Sequence, residues 1–264
     1  MSGAPGPGWL PGAGLSVRTA LTNPSTRPGL RLPGRITLAA EVAVPVDLIR
    51  LGLVTRVEPA DGAREYDLVE FHRSVVAGRL LVVPGPGRAV DFAYPVPWET
   101  PITVINGDCL LNLRMGLRTE VAIDPQVDRG GLATVHVHPL PVQAGILAAF
   151  TELGFTLRQV GLQAGRLPGV AQRLPFHQKI AFWAAPLYRG PFAELELTFL
   201  TDRYGVEVIF ALDRRMALAG AGHLSFSRFR VAHTDAGADW PAVLHRWVQH
   251  AVARHGYTAA RLAR

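Results

Sequence analysis

Residues 109 to 123 alternate almost without interruption. Cys109, Leu111, Leu113, Met115, Leu117, Val121 and Ile123 occupy odd positions; Asn112, Arg114, Arg118 and Glu120 occupy even ones. Successive strand side chains point to opposite faces, so the run predicts one long strand with a buried face, Cys109 included, and a solvated face. Asp124-Pro125 ends it. A second alternation, Val135-His136-Val137-His138, then runs into Pro139-Leu140-Pro141. Together they predict a β-sandwich that closes on a stiff junction. The stretch contains no catalytic signature.

The rest of the chain extends this pattern. Ile36–Val42, Ile49–Leu53 and Leu68–Val76 alternate, and turn residues separate them, Asp61-Gly62 and Pro84-Gly85-Pro86-Gly87. After mid-chain, Phe155–Val160, Ile180–Trp183 and Ser227–Val231 read as strands. Leu195, Leu197 and Phe199 alternate with Glu194, Glu196 and Thr198. A turn at Asp202–Gly205 joins that run to Val206–Leu212, which makes the clearest hairpin. The 21 prolines and 27 glycines, scattered in small clusters, suit many short strands joined by turns.

Two segments change period. Val142, Ile146, Phe150 and Leu153 fall on one helical face between Pro141 and Gly154. Trp240, Val243, Leu244, Trp247, Val248, Ala251 and Val252 do the same, with Asp239 as N-cap, Pro241 in the first turn and Gly256 as the expected stop. This amphipathic helix either docks on its own domain or presents Trp240, Leu244 and Trp247 to a partner. The expected fold is all-β, with two tandem sandwiches, a short linker helix and an amphipathic C-terminal helix. The boundaries read as a 1–13 tail, an N-terminal sandwich at 14–138 and a linker with its helix at 139–154. A second sandwich follows at 155–235, then the C-terminal helix at 236–256 and a 257–264 tail.

Charge is unevenly placed. Residues 1–138 carry 13 arginines against 13 acids, whereas residues 139–264 carry 13 arginines and Lys179 against 8 acids. The basic half favours acidic partners. Its arginines are scattered, with no basic block interleaved with aromatics, which argues against nucleic acid. A single cysteine excludes an internal disulfide and points to a reducing compartment. Met1–Gly14 lacks the apolar core of a signal peptide, and no run approaches the roughly 20 apolar residues that span a bilayer. The expectation is a cytoplasmic protein that does not insert into membranes, with homo-oligomerisation left open.

Chemical motifs are sparse. His136 and His138 share one strand face and could supply two metal ligands, with Asp124, Asp128 or His72 as a third. The other reading is a polar strand face whose histidines pair with carboxylates. Asp124-Pro125-Gln126-Val127-Asp128 does not fit a calcium loop, and a loop turning at Asp-Pro and Gly130-Gly131 explains it. No serine lies in a nucleophile elbow, and there is no phosphate loop and no H-E-x-x-H. No cofactor is expected. Arg118 and Glu120, on the wet face of the long strand, read either as part of a cross-strand ion pair or as a charged seam that a competing ligand could switch. The candidate contact residues are Arg114, Arg118, Glu120, Asp128, His136 and His138.

Several ordered segments are specific enough to carry a resemblance. V-R-T-A-L-T-N-P-S-T-R-P-G-L-R-L-P-G-R-I-T-L is followed by D-L-I-R-L-G-L-V-T-R-V, E-Y-D-L-V-E-F-H-R and Y-P-V-P-W-E-T-P-I-T. Then come G-L-R-T-E-V-A-I-D-P-Q-V-D-R-G, V-H-V-H-P-L-P, L-P-F-H-Q-K-I-A-F and A-E-L-E-L-T-F. Collinear over roughly residues 15–235, the set resembles the bacterial sporulation-control SpoOM family, whose members look like arrestins. The resemblance implies two tandem sandwiches joined near Pro139–Pro141. It also implies a regulator of sporulation or related developmental and stress physiology that works as an adaptor through protein contacts and not as an enzyme. It carries over no catalytic residue. The remaining alternative is a ligand- or metal-binding sandwich that uses a histidine and carboxylate cluster near the junction.

Overall fold

The computed structural model describes residues 8–9, 14–59, 66–123, 126–212 and 226–262, with side chains over 14–59, 66–123, 130–212 and 226–254. The expected turns at Asp61-Gly62 and Asp124-Pro125 lie outside the described residues. Among the described residues the chain is mostly β with two α-helices, and it divides into two compact units. One comprises residues 1–57, 66–103 and 113–138; the other comprises 58–65, 104–112 and 139–264.

The first unit is a sandwich. One sheet runs β1 (Gly8–Trp9), β2 (Leu15–Leu21), β4 (Arg31–Ala40), β9 (Arg88–Pro95). The other runs β3 (Ser25–Thr26), β13 (Gln126–Val137), β12 (Met115–Ile123), β6 (Leu48–Val57), β7 (Asp67–Ala77). A small pair, β5 (Val44–Val46) and β8 (Leu80–Val82), completes it. Alternation sets the inner faces: Leu32, Ile36 and Leu38 on β4, Ile49, Leu51 and Leu53 on β6, and Leu117 and Val121 on β12 are fully buried. Thr19 Oγ1 on β2 lies 2.5 Å from Thr119 Oγ1 on β12, and the His72 ring of β7 meets Tyr94 of β9 edge-on.

The long strand is shorter than its alternation predicts. It starts at Met115, and Cys109 and Leu111 are exposed, Leu111 by 89%. The cause lies just upstream. Asn106 (φ 52°) and Gly107 (φ 90°) form a tight turn that pairs β10 (Val104–Ile105) with β11 (Asp108–Cys109). Asn-Gly favours such a two-residue hairpin, because both positions need positive φ. Cys109 is drawn into that hairpin opposite Val104 and leaves the core strand. Nor does the chain loop at Gly130-Gly131. Both glycines stand inside β13, where the register with β12 slips between Arg118 and Glu120 as a bulge.

The second unit is built on one antiparallel meander: β14 (Thr156–Ala164), β15 (Phe176–Trp183), β16 (Glu194–Thr201), β17 (Gly205–Leu212), β18 (Phe226–Ala232). Among the described residues, the layer packed on its apolar face is helical, formed by α1 (Pro141–Glu152) and α2 (Trp240–Leu262). Phe150 of α1 stacks on Phe182 at 4.4 Å and meets Phe210 edge-on, while Trp247 of α2 stacks on Phe229 at 4.7 Å. Aromatic contacts of this kind add about 0.5–1.5 kcal/mol each beyond area burial. The Leu140 N–H donates to Gln143 Oε1 at the start of α1, and Gln143 Nε2 donates to Thr201 Oγ1 at the end of the central strand β16. The α2 helix is capped by Asp239 as expected but does not stop at Gly256. A glycine costs a helix interior about 1 kcal/mol, which the flanking residues overcome, and the helix runs to Leu262.

Candidate functional site

The outer face of the five-stranded sheet in the first unit carries a compact charge network. Its framework is register. On β6, Gly52 stands between Arg118 of β12 and Arg73 of β7, and Arg50 stands beside Glu120 of β12. A bulge in β7 brings Glu70 opposite Val54, on this same face. The Glu70 carboxyl lies directly over Gly52: a Cβ at position 52 would stand 2.6 Å from Glu70 Cδ. The missing side chain is therefore what lets a carboxylate lie flat across the sheet between two arginines.

The network has two layers. The carboxylates lie deep, with the side chains of Glu70 and Glu120 only 11% and 5% exposed. The cations lie over them. Arg50 Nη2 reaches Glu120 Oε2 at 3.1 Å, Arg73 Nε bonds Glu70 Oε1, and Arg118 Nη1 stands 3.9 Å from Glu70 Oε2. The hydrogen bond that Arg73 donates to Glu70, and then the charge of Glu70, push the Arg73 guanidinium above its usual range. At 3.9 Å the Arg118 contact is beyond hydrogen-bond length, although the side chain is only 19% exposed. Arg118 thus stands over a carboxylate that it does not fully engage. This geometry can exchange an internal carboxylate for an external one.

The sequence-predicted residues separate into groups. Arg118 and Glu120 share this face as expected, and Glu120 pairs across strands with Arg50. Arg114 is exposed just before β12, where its carbonyl accepts from Thr55 Oγ1 at 3.0 Å. His136 and His138 lie along β3, with their backbone N–H groups donating to the carbonyls of Pro24 and Thr26 at 2.8 Å each. His138 Nε2 stands 3.3 Å from Ser25 Oγ. Asp128 pairs with Val121 in the ladder, and its side chain lies outside the described residues.

The geometry removes His72 from the metal reading, and Asp124 and the Asp128 side chain lie outside the described residues. His72, the suggested third ligand, is on β7, three strand spacings or about 14 Å from β13. Its ring is also turned inward: Nδ1 lies 2.7 Å from Tyr94 Oη, which donates to the His72 carbonyl at 2.9 Å. Among the described residues, no three His, Cys, Asp or Glu side chains gather to hold a metal ion. The helix residues also need correction as partner contacts. Trp240 and Leu244 are 5% and 0% exposed within their own unit, and Trp247 lies on Phe229. Trp240 and Leu244 are core residues, and the half-buried Trp247 packs on the sheet of its own unit.

Sequence reasoning missed Arg50, Glu70 and Arg73. Arg50 and Gly52 were legible as the polar face of I-R-L-G-L. Glu70 and Arg73 were not, because an odd spacing places them on opposite faces of a regular strand and only the bulge reunites them.

Comparison with known proteins agrees with this architecture. The SpoOM protein family profile matches residues 11–216. The sporulation-control protein Spo0M of Bacillus subtilis (strain 168) is 30% identical over 204 residues, 75% of this chain and 75% of that one. The crystal structure of Spo0M from Bacillus subtilis superposes with a TM-score of 0.76 at 25% identity, covering 90% of this chain and 99% of that one. With a family profile and a relative each spanning about three quarters of its length, this chain belongs to the SpoOM family.

Proposed function

We propose that this protein is a non-enzymatic regulatory adaptor in sporulation control or related developmental and stress physiology, acting through contacts with acidic protein partners. The observation that carries the reading is the two-layered network, in which Glu70 lies over Gly52 between Arg73 and Arg118. An acidic side chain of a partner would take the place of Glu70 on these arginines. Partner and internal carboxylate then compete for one pair of cations, and occupancy of the face becomes a switch. The similarity to a sporulation-control protein supports the regulatory role. We place the protein in the cytoplasm, in keeping with a lone cysteine that allows no internal disulfide.

The test is affinity purification of the tagged chain from its native cell, followed by mass spectrometry, with charge variants run in parallel. Arg118→Glu should deplete the specific partners, and Glu70→Gln, which removes the internal competitor, should enrich them. Partner recovery and developmental phenotype unchanged in Arg118→Glu and in an Arg118→Glu/Glu120→Lys double variant would falsify the adaptor surface.

A further inference from the structure

The sheet of the second unit buries Phe182 and Phe210 against its helices, and its opposite face holds a cleft of about 390 Å³. Cross-strand neighbours make the floor. Thr198 pairs with Ile209, and Glu196 pairs with Ala211, which pairs in turn with Phe226. One wall is the connection from β14 to β15, which crosses this face. Its far point is Gly169, whose carbonyl accepts a hydrogen bond from Arg228 of β18.

That connection is held in place internally. Gln172, 5% exposed, places Nε2 at 3.0, 2.7 and 3.1 Å from the carbonyls of Gly165, Leu174 and Phe176, which share its two N–H donors, and its Oε1 accepts from the Leu167 N–H at 3.0 Å. The cleft is therefore preformed, and a ligand need not order its wall. Its volume falls at the lower end of the roughly 300–1,000 Å³ common for small-molecule sites.

The lining chemistry selects a ligand class. Arg166 on the crossing loop and Lys179 on β15 supply two cations, against the single carboxylate of Glu196. Lys179 Nζ reaches Glu196 Oε1 at 2.7 Å, and both side chains remain about a third exposed. An ammonium has three donors, so this pair leaves Lys179 able to bond a second anion, and the Arg166 fork matches a carboxylate. Ile209, Ala211 and Phe226 offer an apolar bed beside those cations. We propose that this cleft binds a small carboxylate with an apolar body, its anionic end held by Lys179 and Arg166 and its body lying on Ile209 and Ala211. The charged face of the first unit plays no part in this argument, so either proposal can fail alone.

The test is an NMR titration of the full chain with sodium phenylacetate, using acetate and the uncharged isostere phenylacetamide as controls. Saturable shifts should appear in residues 163–168, 177–179 and 196–198. Acetate and phenylacetamide should each bind at least about fivefold more weakly. Lys179→Gln and the milder Arg166→Gln, on an exposed loop position, should each weaken phenylacetate by a similar factor. The proposal is overturned by the absence of saturable shifts up to about 10 mM. It is equally overturned by phenylacetamide binding as well as phenylacetate, or by both variants binding like the natural chain.

Discussion

Glu70 is a carboxylate placed by an absence. Its position depends on Gly52, where a Cβ would stand 2.6 Å from Glu70 Cδ and 2.9–3.0 Å from its oxygens. The atoms displaced by a Gly52→Ala substitution belong to the tip of a flexible side chain, so the carboxylate should swing away while the strand stays. Two small terms then oppose each other. Alanine favours an extended chain over glycine by roughly 0.5–1 kcal/mol, and the lost ion pairs, deep at Glu70 but with Arg73 more than half exposed, are worth about 0–1 kcal/mol. Gly52→Ala should therefore shift stability in urea by less than about 1 kcal/mol. Its effect should appear in binding, because Arg73 and Arg118 lose their internal competitor and capture acidic partners more strongly. A large drop in the urea midpoint, or unchanged capture with Glu70 displaced, would show that Glu70 is structural.

Elements were legible where alternation or helical period was uninterrupted, and they misled where a local feature reset the pattern. Leu113, Met115, Leu117 and Val121 are buried as their odd positions predict, but the Asn106-Gly107 turn claims Cys109 before the same strand begins. The bulge in β7 likewise hid Glu70, since counting by two cannot register an extra residue. Period 3.6 located both helices of the second unit, yet not their role. Read as a linker and as a helix that either docks on its own domain or meets a partner, they supply the layer that covers the sheet. Trp240 lies so close to Gly145 that a Cβ there would meet its ring at 2.4 Å. Two predictions separate a docked helix from a partner helix. Leu244→Ala, at a fully buried position, should cost about 2–5 kcal/mol in denaturant unfolding. Gly145→Ala should cost about 1–3 kcal/mol by overpacking and shift tryptophan fluorescence. Negligible loss of stability in Leu244→Ala would mean that the helix does not hold the unit together.

At the scale of the whole molecule, each unit carries, among the described residues, one histidine whose pKa is lowered by burial. In the first unit His72 is set against Tyr94, and burial lowers its pKa. Because the Tyr94 hydroxyl donates to the His72 carbonyl, the neutral imidazole donates from Nδ1 to the Tyr94 oxygen. In the second unit His177 is lowered too, first by burial, with Lys179 adding to the effect while the Gly165 carbonyl and Glu196 oppose it. For both groups the unfolded chain takes up a proton at higher pH than the folded one. The stability they contribute is complete above the unfolded value of about 6.5 and declines as pH falls through it toward the lower folded values. Unfolding followed at pH 7.5, 6.5 and 5.5 should show stability decreasing over the lower interval, well above the range where most carboxylates titrate. His72→Gln, which keeps a donor for Tyr94, should flatten the decline of the first unit, and His177→Gln that of the second. The two units have separate cores, so the flattening can be assigned to each by local probes. Trp240 and Trp247 report the second unit, and amide exchange in β6 and β12 reports the first. A pH slope that survives in the double variant would locate the titrating groups elsewhere and leave the two histidines as ordinary core residues.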